Sequence, residues 1–267
     1  MNPQVIVEKK IMSSMIKTFF TIICLGVISY PLAIFAQLPL LTDDTGTQGK
    51  GHFQFELSNG MDYNSEHRCN EKTTEIAPVF TYGLHNKIDV VLCTPYLFTE
   101  VDDDTITTAA HGFSDFSLEM KYTFLSRDKL SMAIKPGLLI PTGNWRKGLG
   151  CGRLSASLFL VNTLNFSRVM LHTNLGFLHN ANRHGDALNI WHASLGGDVA
   201  LDGRFHLVLN TGIEKNPDSD DPVMPAFALT GMYILITPDC ELAAGYKTGI
   251  TRPESDHSVI IGFTFRL

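Results

Sequence analysis

Seven charged residues share a setting that gives their chemistry a direction. Glu119, Lys121, Lys135, Arg153, Asp198, Lys247 and Arg266 fall within extended apolar runs, on the parity opposite to the greasy side chains. Charges so placed are costly against lipid, but they can line a watery passage and select among solutes. Other groupings carry less. His179 and His184 flank Asn-Ala-Asn-Arg, but a zinc site needs a third ligand and the other eight of ten histidines are scattered. Asp102, Asp103 and Asp104 form an acidic run that could bind calcium and reads more simply as a solvated loop. The glycines at 148–152 precede no helix of the kind a phosphate-binding loop needs. No metal and no cofactor are expected.

Composition narrows the class. A formal charge of -6, with no clustering of Lys and Arg along the chain, argues against a nucleic-acid partner. Lys9, Lys10 and Lys17 precede the apolar run 18–36, which holds Pro31 and ends at Ala36. This reads as an export signal cleaved after Ala36, with an uncleaved anchor as the alternative. The remaining cysteines, Cys69, Cys93, Cys151 and Cys240, match no zinc or redox spacing. They read as four separate thiols, with a Cys69–Cys151 bridge as the alternative in an oxidising compartment.

The elements that must position the charges are strands. Twelve extended segments recur, at 52–64, 71–84, 87–101, 112–125, 129–142, 151–164, 168–180, 186–201, 205–214, 222–237, 240–251 and 257–267. Tight turns at 85–86, 126–128, 165–167, 202–204 and 238–239 alternate with polar loops at 65–70, 102–111, 143–150, 181–185, 215–221 and 252–256. Five turns interleaved with six loops match an all-β, twelve-stranded antiparallel up-and-down barrel, with short turns in the periplasm and longer loops outside. Tyr82, Tyr122, Phe124, Phe205 and Tyr233 near the turns, and Phe53, Tyr96, Phe98, Phe177 and Trp191 near the loops, suggest two interfacial girdles. Across the turn at 126–128, Phe124 is expected opposite Leu130, which sets Glu119 facing Lys135. In the last segment Val259, Ile261, Phe263, Phe265 and Leu267 share one face, and only Ile260 breaks the polar set on the other. A final strand of this kind closes a barrel against the first and leaves no edge.

The C-terminal segment resembles the assembly signal of bacterial outer-membrane proteins, although Leu267 stands where an aromatic is usual. That implies the barrel-assembly machinery as a partner. The run 38–60, with Thr42, Asp43, Asp44, Gly46, Gly49, Lys50, Gly51 and then Glu56, resembles the mature N-terminus of a bacterial family of outer-membrane transporters. That family is grouped with a protein of the meta-cleavage pathway of phenol degradation. The resemblance implies passage of small organic compounds and no catalytic residues. Ser58-Asn59-Gly60 also resembles part of the active-site motif of outer-membrane phospholipase, but Glu56 stands where that family has a histidine.

The expected organisation is a signal peptide at 1–36, a short periplasmic segment at 37–51 and an outer-membrane barrel at 52–267 of a Gram-negative bacterium, in contact with lipid. The expected function is a channel or transporter for small molecules, including hydrophobic or aromatic ones. The alternatives are a non-conducting structural or surface-interaction barrel and, behind it, a lipid-modifying enzyme. The topology has a direct test. In a background lacking the native cysteines, whole-cell labelling should reach a cysteine placed at Ser219 and miss one at Asp202 or Asp239. The reverse pattern would invert the barrel.

Overall fold

A computed structural model describes residues 38–66, 69–102 and 107–267; the export signal assigned to 1–36 lies outside the described residues. Fourteen strand segments follow in order: β1 (Phe53–Glu66), β2 (Cys69–His85), β3 (Ile88–Cys93), β4 (Tyr96–Asp102), β5 (Thr107–Phe113), β6 (Phe116–Ser126), β7 (Leu130–Ile140) and β8 (Ser155–Asn165). The remainder are β9 (Val169–His179), β10 (Asn189–Ala200), β11 (Phe205–Glu214), β12 (Ala226–Thr237), β13 (Cys240–Gly249) and β14 (His257–Arg266). They build twelve staves, because two staves are broken. β2 pairs with β3 along its turn-side half and with β4 along its loop-side half. β6 pairs with β3, and β5 with β4, on the far side of the same break. Pro95 sits in the first gap and Pro78 lies across from it on β2; neither can donate to a ladder.

Closure comes from β1 and β14, which pair antiparallel from Gln54 with Arg266 to Tyr63 with His257. Beyond that ladder, the Phe53 N–H donates to the Leu267 carbonyl at 2.9 Å and the Leu267 N–H returns to Phe53 at 2.8 Å. The ring of pairings leaves no free edge on either strand, the condition a membrane-spanning sheet must meet.

Burial settles which face is which. β14 alternates exposed and buried residues over most of its length: His257, Val259, Ile261 and Phe265 are exposed, while Ser258, Ile260, Gly262 and Thr264 are buried. β11 does the same, with Leu209 and Ile213 outward and His206 and Asn210 inward. Around the barrel, Leu57, Phe80, Met120, Leu158, Leu175 and Met232 face out, and Gln54, Thr81, Asp89, Thr163, His172 and Asp198 are enclosed. A soluble sandwich has the opposite arrangement. Exposed grease around a closed polar interior is the signature of a transmembrane barrel.

Several boundaries differ from the sequence expectation. Thr107 to His111, expected as loop, continue as β5 because β-branched Thr107 and Thr108 pair with Asp102 and Val101 on an extended hairpin. Strands expected from 151, 186 and 222 start at Ser155, Asn189 and Ala226. The residues before them are held in loops by side chains instead: Asn182 Oδ1 accepts the N–H groups of His184, Gly185 and Asp186. Two aromatics leave their expected girdles. Phe53 pairs with Tyr82 and so lies at the turn end, and Tyr233 points inward and is buried.

The lipid-facing assignment predicts a large asymmetry. Leu175→Arg, in the middle of β9 on the exposed face, should cost about 2–4 kcal/mol in folding into bilayers, read by urea titration of the heat-modifiable form. An unchanged titration would mean that this face does not meet lipid.

Candidate functional site

The interior is occupied by the chain's own N-terminal segment. Residues 38–51, expected in the periplasm, cross the lumen from the turn-side rim near β3 to the wall made by β12, β13 and β14. Side chains from nearly every stave receive them, so the site is best followed along this segment.

At the rim, Gly49 and Gly51 have φ of +83° and +86°, which lets the chain turn sharply inward. The Gly51 N–H donates to Gly83 O, and a Cβ on Gly83 would stand 1.8 Å from Gly49 O. The Asn86 carboxamide accepts the Lys50 N–H, and Asp89 accepts the Gln48 N–H at 2.9 Å. Further in, Thr45 donates its N–H to Thr163 Oγ1, shares a short hydroxyl contact with Ser131 and accepts from Thr123 Oγ1 at 2.6 Å.

Asp43 is the centre of the arrangement. Its two carboxylate oxygens take Lys121 Nζ at 2.7 Å and Lys135 Nζ at 2.9 Å. With its amide nitrogen turned toward the Asp43 carbonyl, Asn174 donates to that carbonyl at 2.9 Å and accepts the Asp43 N–H at 2.7 Å. Burial alone would raise the Asp43 carboxyl, but the two ammonium groups outweigh it and hold the group below the usual carboxylate range.

The register explains the need for this anion. Glu119 faces Gly137 and Tyr122 faces Ile134, so Lys121 and Lys135 stand at one level on adjacent staves. The expected facing of Glu119 and Lys135 is corrected by this pairing: the turn pairs Ser126 with Ser131, and a register shift lies between Thr123 and Leu125. Glu119 still reaches Lys135 diagonally, at 3.0 Å. Like charges opposite one another destabilise a sheet, and Glu119 serves only one of the two.

Past Asp43 the partners become neutral. Asn210 Oδ1 accepts the N–H groups of Leu41 and Thr42, and its Nδ2 donates to Thr42 Oγ1 at 2.7 Å. Leu40 then packs with Val208, Phe227, Leu229, Tyr233, Ala243 and Ile260, an apolar patch inside a polar lumen. Pro39 and Leu38 lie on a floor of glycine: a Cβ on Gly231 would come 2.4 Å from Pro39 and one on Gly262 would come 2.5 Å from Leu38.

The other expected charges are spread around the wall. Asp198 is buried, accepting from Tyr233 Oη at 2.6 Å and contacting His206 Nδ1 at 2.8 Å. Arg266 donates to Gln54 Oε1 at 2.9 Å and to Glu241 at 3.2 Å. Lys247 pairs with Glu254 at 2.7 Å and approaches Asp62 at 3.8 Å. Arg153 differs from the rest: it is exposed in the connection before β8 instead of lying on a strand. Thus Glu119, Lys121 and Lys135 meet in one cluster, and Asp198, Lys247, Arg266 and Arg153 do not join it.

Beside the segment a cavity of about 370 Å3 remains against β1, β2, β3, β6 and β7. Its wall includes Glu56, Val79, Val91, Cys93, Ser117 and Glu119. Sequence reasoning missed that 38–48 runs through the lumen against the inner wall. A signal was present in Ile260, the apolar intruder in the polar face of the last strand, which is where Leu40 packs.

Among the described residues, Cys93, Cys151 and Cys240 are free thiols, and the side chain of Cys69 lies outside the described residues. Burial first, then the Asp115 carboxylate, raises the Cys151 thiol above its ordinary value, so it is a poor nucleophile. Phospholipase chemistry would need a histidine within hydrogen-bond reach of Ser58; the candidate, His192 on β10, has four staves, β11 to β14, between it and Ser58 on β1 along the sheet, and it contacts Glu214 at 3.2 Å.

The fold has solved counterparts. The chain is similar to the COG4313 outer membrane channel from Pseudomonas putida F1, at 13% identity and a TM-score of 0.64, covering 90% of this chain and 100% of that one. It is also similar to the NanC porin, at 12% identity and 0.53, covering 80% and 100%, and to the KdgM porin, at 6% and 0.50, covering 79% and 98%. No curated protein matches the sequence. At such identities the likeness is one of fold, that of outer-membrane barrels. A family model described as "Putative MetA-pathway of phenol degradation" matches residues 36–267, the whole barrel together with the segment inside it. The chain, an outer-membrane β-barrel of the Gram-negative type, therefore belongs to that family.

Proposed function

We propose that the protein is a narrow outer-membrane channel for small molecules, in which the N-terminal segment sets the width of the path. The observation that carries this reading is how the segment is held. Among the described residues, 38–48 is bound to the wall by side chains and by no backbone ladder. Each such bond contributes only about 1 kcal/mol net, so the segment can shift without breaking the barrel. The remaining cavity lies at the lower end of the roughly 300–1,000 Å3 common for small-ligand sites. Val79, Val91 and Leu40 give it apolar surface beside the carboxylates, which suits compact organic solutes with a polar group. The family description and the channels of like fold support passage of such compounds, aromatic ones included. An enzymatic reading has less support, since Ser58 and His192 stand on walls that do not meet.

Two measurements test the proposal. In planar bilayers, Asp43→Asn should raise conductance several-fold, because losing the shared anion leaves two ammonium groups facing each other at a cost of about 3–5 kcal/mol to the docked segment. Wild-type and mutant barrels that carry no current, and liposomes that admit neither phenols nor sugars, would favour the non-conducting reading. Lys135→Glu sets a third carboxylate beside Asp43 and Glu119. The barrel should remain folded and the reversal potential should move toward cation preference. Unchanged selectivity in a conducting Lys135→Glu barrel would place these residues off the path.

A further inference from the structure

The sequence shows no basic cluster, yet the fold assembles one. The connection from β7 to β8 carries Arg146, Lys147 and Arg153 and no acidic residue, in a chain whose formal charge is -6. The loop between β9 and β10 brings Arg183 and His184 against it. Arg183 donates its backbone N–H to Cys151 O at 2.9 Å and Nε to Gly152 O at 3.2 Å, and His184 Nε2 contacts Gly150 O at 3.0 Å. Both guanidinium groups gather at Trp145, with Arg146 Cζ at 5.4 Å and Arg183 Cζ at 5.2 Å from the ring centre.

The platform is built, not merely crowded. Asp115 accepts the N–H groups of Gly143 and Cys151 at 2.9 and 2.7 Å, which engages both carboxylate oxygens and ties the loop at two points. A Cβ on Gly152 would stand 2.8 Å from Trp145 Cγ, so the lack of a side chain there lets the indole approach the backbone closely. Arg146, Lys147, Arg153 and Arg183 are all exposed, and among the described residues none forms an ion pair. Arg146 and Arg183 on one indole, with Lys147 and Arg153 exposed in the same connection and the Asp115 oxygens turned to backbone N–H groups, offer a site for an external anion.

Position says which anion. Leu154, next to Arg153, is 57% exposed, and Leu158 continues the outward apolar row down β8. The patch therefore sits where the lipid-facing band gives way to water at the loop end of the barrel. Lipid phosphates occupy that level, and arginine forks match phosphate oxygens two at a time. Tryptophan is at home at the same boundary. We propose that Trp145, Arg146, Lys147, Arg153 and Arg183 form a docking surface for the phosphate of a phosphorylated lipid headgroup in the leaflet at the loop end.

The protein offers its own probe, since Trp145 and Trp191 are the only tryptophans. In the Trp191→Phe barrel, folded in neutral detergent, Trp145 emission should change saturably on titration with a diphosphorylated glycolipid such as lipid A. Adding Arg146→Gln and Arg183→Gln should weaken the apparent affinity about tenfold or more. If that combination does not give the heat-modifiable form, Lys147→Gln with Arg153→Gln is the replacement, with a several-fold loss expected. An unchanged affinity in a folded variant would overturn the proposal, as would an equal response to the dephosphorylated glycolipid. Saturation by inorganic phosphate alone would reassign the surface to soluble anions.

Discussion

The interior of this barrel depends on one carboxylate. Lys121 and Lys135 project at the same level from adjacent staves into an enclosed lumen, and neither can be left uncompensated there. Glu119 reaches only Lys135, and Asp43 reaches both. Because Asp43 belongs to the segment that precedes the first strand, neutralising the pair draws that segment inside. Asn174 then fixes its backbone on the same residue, so charge and hydrogen bonding converge at a single point of the chain.

The remaining contacts follow from where that point holds the segment. On the rim side the chain must pass Gly83 closely, and a side chain at that position would block it. On the far side the segment is apolar, and the wall answers with Leu229, Val208 and Ile260 in a lumen that is otherwise polar. Glycines at 231, 245 and 262 provide the depth in which Leu38 and Pro39 lie. A lumen of twelve staves is intermediate between barrels filled by their own side chains and open porins. Here the filling is supplied in part by a segment of the same chain, and a cavity remains beside it along β1, β2 and β3.

Filling by a strap and filling by side chains differ in consequence. Wall side chains are anchored by the ladder on which they sit, and removing them would mean unfolding a strand. The strap is anchored by Asn210, Asn174, Thr163 and the lysine pair, side chain by side chain and not through a ladder. At the loop end a different kind of order prevails. Asp115, Asn182 and Asn180 bind backbone groups of the connections, so those loops hold definite shapes without strand pairing.

Much of the fold was legible because the barrel is built on a period of two. Polar and apolar side chains must alternate when lipid lies on one side and water on the other, and turns and loops must alternate when staves run up and down. Both patterns are local, so the strand count, the facing of Lys121, Asp198 and Arg266, and the family resemblance of 38–60 could be read from residue order. The broken staves at Pro95 and Asp115, and the register that sets Lys121 level with Lys135, were not legible, since a single bulge shifts every pairing beyond it. Nor was the destination of the N-terminal segment, because Asp43 and Lys121 are 78 residues apart and only closure of the barrel brings them together. Arg183 reaches Gly152 and Trp145 for the same reason. The sequence by itself determined a greasy surface, a polar interior and the number of staves; the tertiary structure decided which charges share that interior, because ion pairs across a closed ring depend on register and curvature that no single segment encodes.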